Sequence, residues 1–126
     1  MSGFAFDANI LIDALGGYPP ARAEIARATA AGSRAWISRM AWIEVLSKGD
    51  TAVVKEALLF LAHFGLDEIH EDIAQRAAAL RRERPRLKSP DAIILATAQL
   101  RGRILITRNT RDFPAEMPGI RVPYTL

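Results

Sequence analysis

Four acidic residues occupy positions where an acid needs a chemical reason. Asp7 ends the apolar run 4–6, and Glu44 interrupts the apolar stretch 40–46. Asp91 opens the apolar segment 90–100, and Asp112 follows the apolar run 104–107. A buried carboxylate is costly unless it shifts its pKa or finds a partner. Brought together, the four would form the oxygen-rich site that Mg²⁺ or Mn²⁺ prefers.

Polar neighbours of these acids fit the same chemistry. Ser38, Thr107 and Asn109 could orient water molecules or the acids, as groups around a metal site do. In a site with two ions, roughly 3.5–4 Å apart, the ions stabilise the attacking and leaving oxygens of a phosphate ester. The acids and their neighbours therefore predict metal-dependent hydrolysis, with a water molecule as the nucleophile.

Each acid also has a purely structural explanation. Asp7 could cap a helix that starts at Ala8, and Asp91 could stabilise a helix N-terminus by about 0.3–1 kcal/mol. Asp112 could belong to a turn. Glu44 gains nothing from helix capping, although it could still reach solvent from a partly exposed face. The joint occurrence of all four argues for a site.

Composition predicts one domain over residues 1–126 in a reducing cytoplasm. The chain has no cysteine, so it forms neither a disulfide framework nor a thiolate metal site. Its N-terminus lacks the pattern of a signal peptide, and its apolar runs are too short for a membrane span. Half of its residues are apolar, which predicts a dense core or an apolar surface for a partner.

The charge balance favours a polyanionic partner. There are 17 basic and 14 acidic residues, so without the four site candidates ten acids stand against 17 bases, a balance of +7. A basic body around an acidic pocket suits a metal-dependent nuclease. The strongest basic run, 81–88, predicts RNA contacts by Arg82, Arg84, Arg86 and Lys88. The alternative is an ordinary cationic helix end followed by a solvated loop.

Short apolar segments alternate with helical ones along the chain. Strands are predicted at 3–6, 35–37, 66–69, 103–107 and 119–124, and helices at 8–15, 19–32, 39–48, 51–63, 71–84 and 89–100. Ser89 and Pro90 predict a capped helix start, and Gly102 predicts its end. This alternation predicts an α/β fold, a three-layer α/β/α sandwich with a mainly parallel central sheet.

The predicted sheet gathers several of these groups at one edge. Ligands of such sheets bind beyond the carboxyl ends of the strands. Asp7, Ser38 and the pair Asn109 and Asp112 each follow a predicted strand. Other acids are predicted to be ordinary surface or capping residues, among them Asp13 and Asp67.

Four blocks of the sequence together resemble the PIN-domain family, and within it the VapC-type toxins of bacterial toxin–antitoxin pairs. The blocks are FDANILID at 6–13, ISRMAWIEV at 37–45, PDAIILATA at 90–98 and TRNTRDF at 107–113. Each block is weak alone, but their order matches the family and they cover nearly the whole chain. Ala8 departs from the threonine that many relatives carry, and this small residue leaves all four acids in place.

The resemblance implies an Mg²⁺- or Mn²⁺-dependent endoribonuclease, homodimeric and blocked by a small antitoxin protein. By position, the metal-binding and catalytic acids are Asp7, Glu44, Asp91 and Asp112, supported by Asn9, Ser38, Thr107 and Asn109. A non-catalytic module that binds RNA or a protein is the alternative. A phospho-acceptor or phosphatase domain is disfavoured, because such phosphatases want a second aspartate where this chain has Asn9.

Overall fold

The structure, a computed structural model, describes residues 3–126. This part of the chain forms five strands and six α-helices. The strands are β1 (Phe4–Phe6), β2 (Ala35–Ser38), β3 (Gly65–Asp67), β4 (Ile104–Ile106) and β5 (Ile120–Arg121). The helices are α1 (Ala8–Leu15), α2 (Pro19–Thr29), α3 (Arg39–Leu46), α4 (Thr51–Leu61), α5 (Glu71–Glu83) and α6 (Ser89–Arg101), and a 3₁₀ turn (Ala30–Gly32) follows α2. Within residues 3–126 no helix has the length and apolarity needed to cross a membrane.

The central strands are buried on both faces of the sheet. Successive side chains of a strand point to opposite faces. The neighbours Ala5 and Phe6 are nevertheless both buried, as are Leu105 and Ile106. Both faces must therefore be covered, as is usual for a parallel sheet with helical crossovers. The predicted three-layer α/β/α architecture is confirmed.

All five strands run parallel, in the order β3-β2-β1-β4-β5. From β1 the chain builds outward through β2 to β3, and then returns to place β4 on the other side of β1. The direction of winding therefore reverses between β1 and β4. In doubly wound sheets, this reversal opens a crevice at the carboxyl ends of the two strands. Asp7 follows β1 and Thr107 follows β4, so the two residues flank the crevice.

The ends of α6 show how local sequence shapes the site. Gly102 ends the helix at φ 68, a left-handed conformation that glycine adopts without a Cβ clash, as predicted. At the other end, the prediction that Ser89 caps the helix is wrong. The first helical hydrogen bond joins Ala92 N–H to the Lys88 carbonyl, so Lys88 is the capping position and Ser89 is already helical. Asp91 consequently lies in the first turn.

Candidate active site

Asp7 lies at the carboxyl end of β1 and is almost completely buried. Its Oδ1 accepts a hydrogen bond from Ala8 N–H at 2.7 Å, so it does cap α1. Its Oδ2 accepts from the Thr107 hydroxyl at 2.7 Å and from Asn9 Nδ2 at 3.3 Å. Burial raises the pKa of Asp7, although the Thr107 hydrogen bond opposes the rise. The capping explanation is correct but incomplete, because capping uses only one carboxylate oxygen.

Thr107 and Asn9 join the ends of β1 and β4. The fully buried Thr107 Oγ1 donates to Asp7 and accepts from Asn9 Nδ2 at 3.3 Å and from Asn109 N–H at 3.0 Å. Asn9 Oδ1 in turn accepts from the backbone N–H of Arg108 at 3.4 Å. These contacts fix the Asp7 carboxylate across the crevice.

Glu44 reaches the site from α3, which Ser38 starts by accepting a hydrogen bond from Ala41 N–H at 3.0 Å. The Ser38 hydroxyl therefore acts as a helix cap and supports Glu44 through the helix. The Glu44 carboxylate itself makes no hydrogen bond within residues 3–126. Burial raises the pKa of Glu44, and the negative charges of Asp7 and Asp91 raise it further.

The pKa of Asp91, in the first turn of α6, is also raised. Burial raises its pKa from 3.8 to about 6, with added repulsion from Asp7 and then from Asp112. A hydrogen bond between the side chains of Asp91 and Asp112 contributes in the same direction. Two carboxyl groups can share a hydrogen bond only if one is protonated. Burial and repulsion from the neighbouring acids therefore both favour the protonated form of Asp91.

Asp112 is held by a turn of its own. Asn109 Nδ2 donates to Asp112 Oδ2 at 2.9 Å, and Asn109 Oδ1 accepts from the Asp112 N–H at 3.2 Å. From α5, Arg84 Nη2 donates to the Asp112 carbonyl at 2.6 Å, while its Nη1 is buried without a hydrogen-bond partner among residues 3–126. The loop position of Asp112 thus depends on two side chains, Asn109 and Arg84.

A cavity of about 390 Å³ opens where these elements meet. Its polar lining comes from Asp7, Asn9, Glu44, Ser47, Lys48, Asp91 and Asn109. Asp112 lines a separate cavity of about 340 Å³, together with Arg84 and Arg86. Three predicted acids therefore share one cavity, and Asp112 is linked to them through its repulsion of Asp7 and its hydrogen bond with Asp91.

The four acids do not form a closed ion cage. Among residues 3–126, no group of three or more His, Cys, Asp or Glu side chains is arranged so that it could hold a metal ion as it stands. Mutual repulsion separates carboxylates that have no cation between them. The donor chemistry still fits Mg²⁺ or Mn²⁺, because such an ion takes oxygen ligands, keeps several waters and needs only one or two carboxylates.

Comparison with known proteins identifies the family. The family model described as "PIN domain" matches residues 4–115. The chain belongs to the PIN domain family. In a solved toxin–antitoxin complex from Klebsiella pneumoniae, one PIN-like chain is 41% identical, with a TM-score of 0.87 over 98% of this chain and 99% of that one. A search of curated proteins gives no match.

Two more distant structures share the PIN fold. One belongs to VapBC2 from Rickettsia felis bound to a promoter DNA fragment, with 19% identity and a TM-score of 0.76 over 93% of this chain and 94% of that one. The other belongs to DNA-bound VapBC from Salmonella typhimurium, with 24% identity and a TM-score of 0.75 over 96% of each chain. At these identities the likeness concerns the fold alone.

The four predicted RNA-binding residues of this PIN domain differ in exposure and in whether their side chains already have partners. Arg82, Arg86 and Lys88 are exposed, and none of their side chains makes a hydrogen bond or ion pair within residues 3–126. Arg84 is instead half-buried and committed to the Asp112 carbonyl. The prediction of a free RNA contact therefore fits Arg84 poorly, because its guanidinium already has a structural use.

Sequence reasoning assigned two acids wrongly and missed two bases. Asp13 is not solvated: Arg108 binds it with both Nε (2.6 Å) and Nη2 (3.1 Å), and the Tyr124 hydroxyl donates to it at 2.7 Å. Asp67 is buried against Arg103 at 2.9 Å. Lys48 lines the acidic cavity, and the charge of Arg108 lowers the pKa of Asp7. The one sequence signal for Lys48 was its position four residues after Glu44, one helical turn away.

Proposed function

We propose that this protein is an Mg²⁺- or Mn²⁺-dependent endoribonuclease and the VapC-type toxin of a type II toxin–antitoxin pair. One observation carries the proposal: three predicted acids share a cavity at the switch point of a PIN fold, and the pKa of each is raised. Perturbed carboxylates in a cleft favour a catalytic site. The 41% identity to a chain of a toxin–antitoxin complex supports the toxin role.

Asp7, Glu44, Asp91 and Asp112 would hold the cation. When bound, the ion would supply positive charge against the carboxylates and the substrate phosphate, and would activate a water molecule as the attacking group. The protein's own part is to fix the acids. Thr107 and Asn9 hold Asp7, and Asn109 holds Asp112, so these two acids are oriented before a cation binds.

Glu44→Gln and Asp91→Asn test this function. The Glu44 carboxylate makes no hydrogen bond within residues 3–126, so its amide analogue removes charge while leaving the described contacts intact. We expect both variants to fold as the native protein does and to lose metal-dependent RNA cleavage by at least about 100-fold. Glu116→Gln, at an exposed loop position, is the matched control and keeps full activity. Undiminished cleavage by both site variants would overturn the proposed mechanism.

We also propose a cognate antitoxin, a homodimeric state and action in the cytoplasm. The support for a protein partner is that α4 exposes apolar side chains: Val53, Leu58 and Leu59 are 49%, 43% and 66% exposed. Ala57 and Leu61 of the same helix face the core. Growth arrest on expression, reversed by a small protein encoded beside this one, would test the toxin role. Sedimentation of the purified chain would test the dimer.

A non-catalytic RNA- or protein-binding module is the second candidate. The observation in its favour is that the acids among residues 3–126 are not disposed to enclose an ion. RNA cleavage assays with added Mg²⁺, added Mn²⁺ or EDTA separate the two functions. Metal-dependent cleavage that EDTA abolishes supports the nuclease, whereas RNA binding without cleavage in all three conditions supports the binding module.

A further inference from the structure

Most basic side chains already have partners inside the molecule. Ion pairs engage Arg27, Arg39, Arg76, Arg101, Arg103, Arg108 and Arg121. Backbone carbonyls engage Arg22, Arg81 and Arg84, and Arg34 lies over the Trp36 ring. Six basic side chains in the described part of the chain have no hydrogen bond or ion pair: Lys48, Lys55, Arg82, Arg86, Lys88 and Arg111.

Four of these six uncommitted bases lie beside the acids. Lys48 lines the acidic cavity together with Glu44, whose pKa it lowers. Lys88 lies three positions before Asp91 and lowers its pKa. Arg86 lines the cavity that contains Asp112, and Arg111 is its neighbour in the chain. The positive charge that is free to bind a polyanion is therefore concentrated around the site.

These bases approach the site from opposite sides. Lys48 lies just after α3, which follows β2, whereas Arg111 lies in the loop after β4. Strands β2 and β4 flank β1, which ends at Asp7. Lys48 also lines a groove of about 350 Å³ that continues past Ile12 and includes neither Asp112 nor Arg86. Lys48 thus marks one flank of the acidic cavity, and Arg86 and Arg111 mark the other.

We propose that Lys48 binds an RNA phosphate on the opposite side of the acidic cavity from Arg86 and Arg111. The strand then crosses the cavity and presents an internal phosphodiester to the acids. This inference rests on the proposed function and deepens it. Carboxylates repel phosphates, so a strand needs cations outside the acids on both sides. Lysine suits this use, because its ammonium is a point charge on a flexible stem.

Salt-dependent binding tests the interaction of Lys48 with phosphate. In an Asp91→Asn background, which keeps the RNA intact, the affinity for a single-stranded oligonucleotide is measured against salt concentration. Removing one cation that neutralises a phosphate lowers the slope by about 0.7 for a single strand. We expect Lys48→Met to lower it by that amount and Lys48→Arg to preserve it. Lys55→Met is the matched control, because Lys55 is exposed on α4 and lines neither cavity.

Truncated substrates test the two flanks. The cut position is first mapped with the native protein on an end-labelled strand. Two shortened strands are then made, one with a single nucleotide left on the 5′ side of the cut and the other with a single nucleotide left on the 3′ side. For each strand, the KM of each variant is compared with that of native protein. One truncation should remove the effect of Lys48→Met and leave that of Arg86→Met. The opposite truncation should do the reverse.

Failure of this inference can be distinguished from failure of the proposed function. The inference is overturned if Lys48→Met binds with the native slope, or if one and the same truncation removes the effects of both variants. A lysine that only supports the end of α3 would instead lower stability in urea without changing the salt slope, which also overturns it. If native protein neither binds nor cuts RNA with Mg²⁺ or Mn²⁺, the proposed function itself fails.

Discussion

The Thr107 hydroxyl donates a 2.7 Å hydrogen bond to Asp7 Oδ2, although 100 positions separate the two residues in the sequence. The bond crosses the switch point between β1 and β4, so it links the fold directly to the candidate site. It also opposes the rise that burial causes in the pKa of Asp7. One buried hydroxyl therefore helps to hold an acid in its ionised form at the place where the fold opens a crevice.

Replacing Thr107 with valine should therefore shift the pH dependence of cleavage. The pKa of Asp7 should rise further without the donor, so the acidic limb of the pH–rate profile should move to higher pH. The Asn109 N–H also loses its acceptor, which should cost about 1–3 kcal/mol in urea unfolding. Thr107→Ser keeps the hydroxyl and should restore the profile. An unchanged acidic limb in the valine variant would show that this bond does not tune Asp7.

Arg84 offers a test of how the Asp112 loop is positioned. Its Nη2 binds the Asp112 carbonyl, but its Nη1 is buried without a partner among residues 3–126. Arg84→Met removes this desolvated donor along with the bond, so unfolding free energy should change by less than about 1 kcal/mol. Cleavage should nevertheless fall by about 10-fold or more, because a displaced acid no longer fits the reaction geometry.

The control for Arg84 lies two residues earlier, on α5. The side chain of Arg82 is exposed and makes no hydrogen bond or ion pair within residues 3–126. Arg82→Met should keep kcat and change only the salt dependence of RNA binding, since Arg82 can act only through its charge. Equal losses of kcat in the two variants would mean that Arg84, too, acts as a simple cation and not through Asp112.

Glu24 predicts how the fold responds to acid. Burial raises its pKa, but hydrogen bonds from Arg121 and Arg27 prevail and lower it to about 2. Because the folded-state pKa is depressed, this stabilisation is present above pH 4.5 and is lost as the pH falls towards 2. Glu24→Gln should cost about 1–3 kcal/mol at pH 7, a range set low because both arginines are about 40% exposed.

The measurement for Glu24 is urea unfolding at pH 7 and at pH 2.5. The difference in unfolding free energy between native protein and Glu24→Gln should narrow at the lower pH, where the native carboxyl begins to take up a proton. Exposed Glu116→Gln should show no gap at either pH. A constant gap would mean that Glu24 contributes through packing and not through its charge.

The parts of the site that follow from strand and helix order were predictable. Asp7 comes directly after β1, Asn109 lies in the loop that follows β4, and the carboxyl ends of parallel strands share one edge. Asp91 lies in the first turn of a helix whose start and end were marked by Pro90 and Gly102. The PIN-family prediction is confirmed on the same residues. The metal and the roles of the four acids stay predictions.

Long-range side-chain pairing was not predictable. Asp13 and Tyr124 meet across 111 positions, and Asp67 and Arg103 meet across 36. Neither pair shares a helix face or a predicted strand pairing, so no local spacing marks it. The same reason explains Arg84, whose basic neighbours suggested an RNA contact while its guanidinium reaches the Asp112 carbonyl instead.

Asp91→Asn should make the metal-free protein more stable at pH 8 while abolishing cleavage. The folded-state pKa of Asp91 is raised to about 6, so ionised Asp91 destabilises the fold as the pH rises from about 4 through 6. The shift corresponds to at most about 3 kcal/mol, and screening and the weaker helix-dipole interaction of the amide reduce the expected gain to about 1–2 kcal/mol.

The measurement for Asp91 is thermal unfolding in EDTA at pH 4 and at pH 8, with tryptophan fluorescence as the probe. The melting temperature of the variant should exceed that of native protein only at pH 8. Added Mn²⁺ should stabilise native protein more than the variant. Asp50→Asn, at the exposed cap of α4, should leave both curves unchanged, because asparagine caps a helix as well as aspartate does. A variant less stable than native protein at pH 8 would contradict the view that burial, together with repulsion from the neighbouring acids, makes ionised Asp91 destabilising.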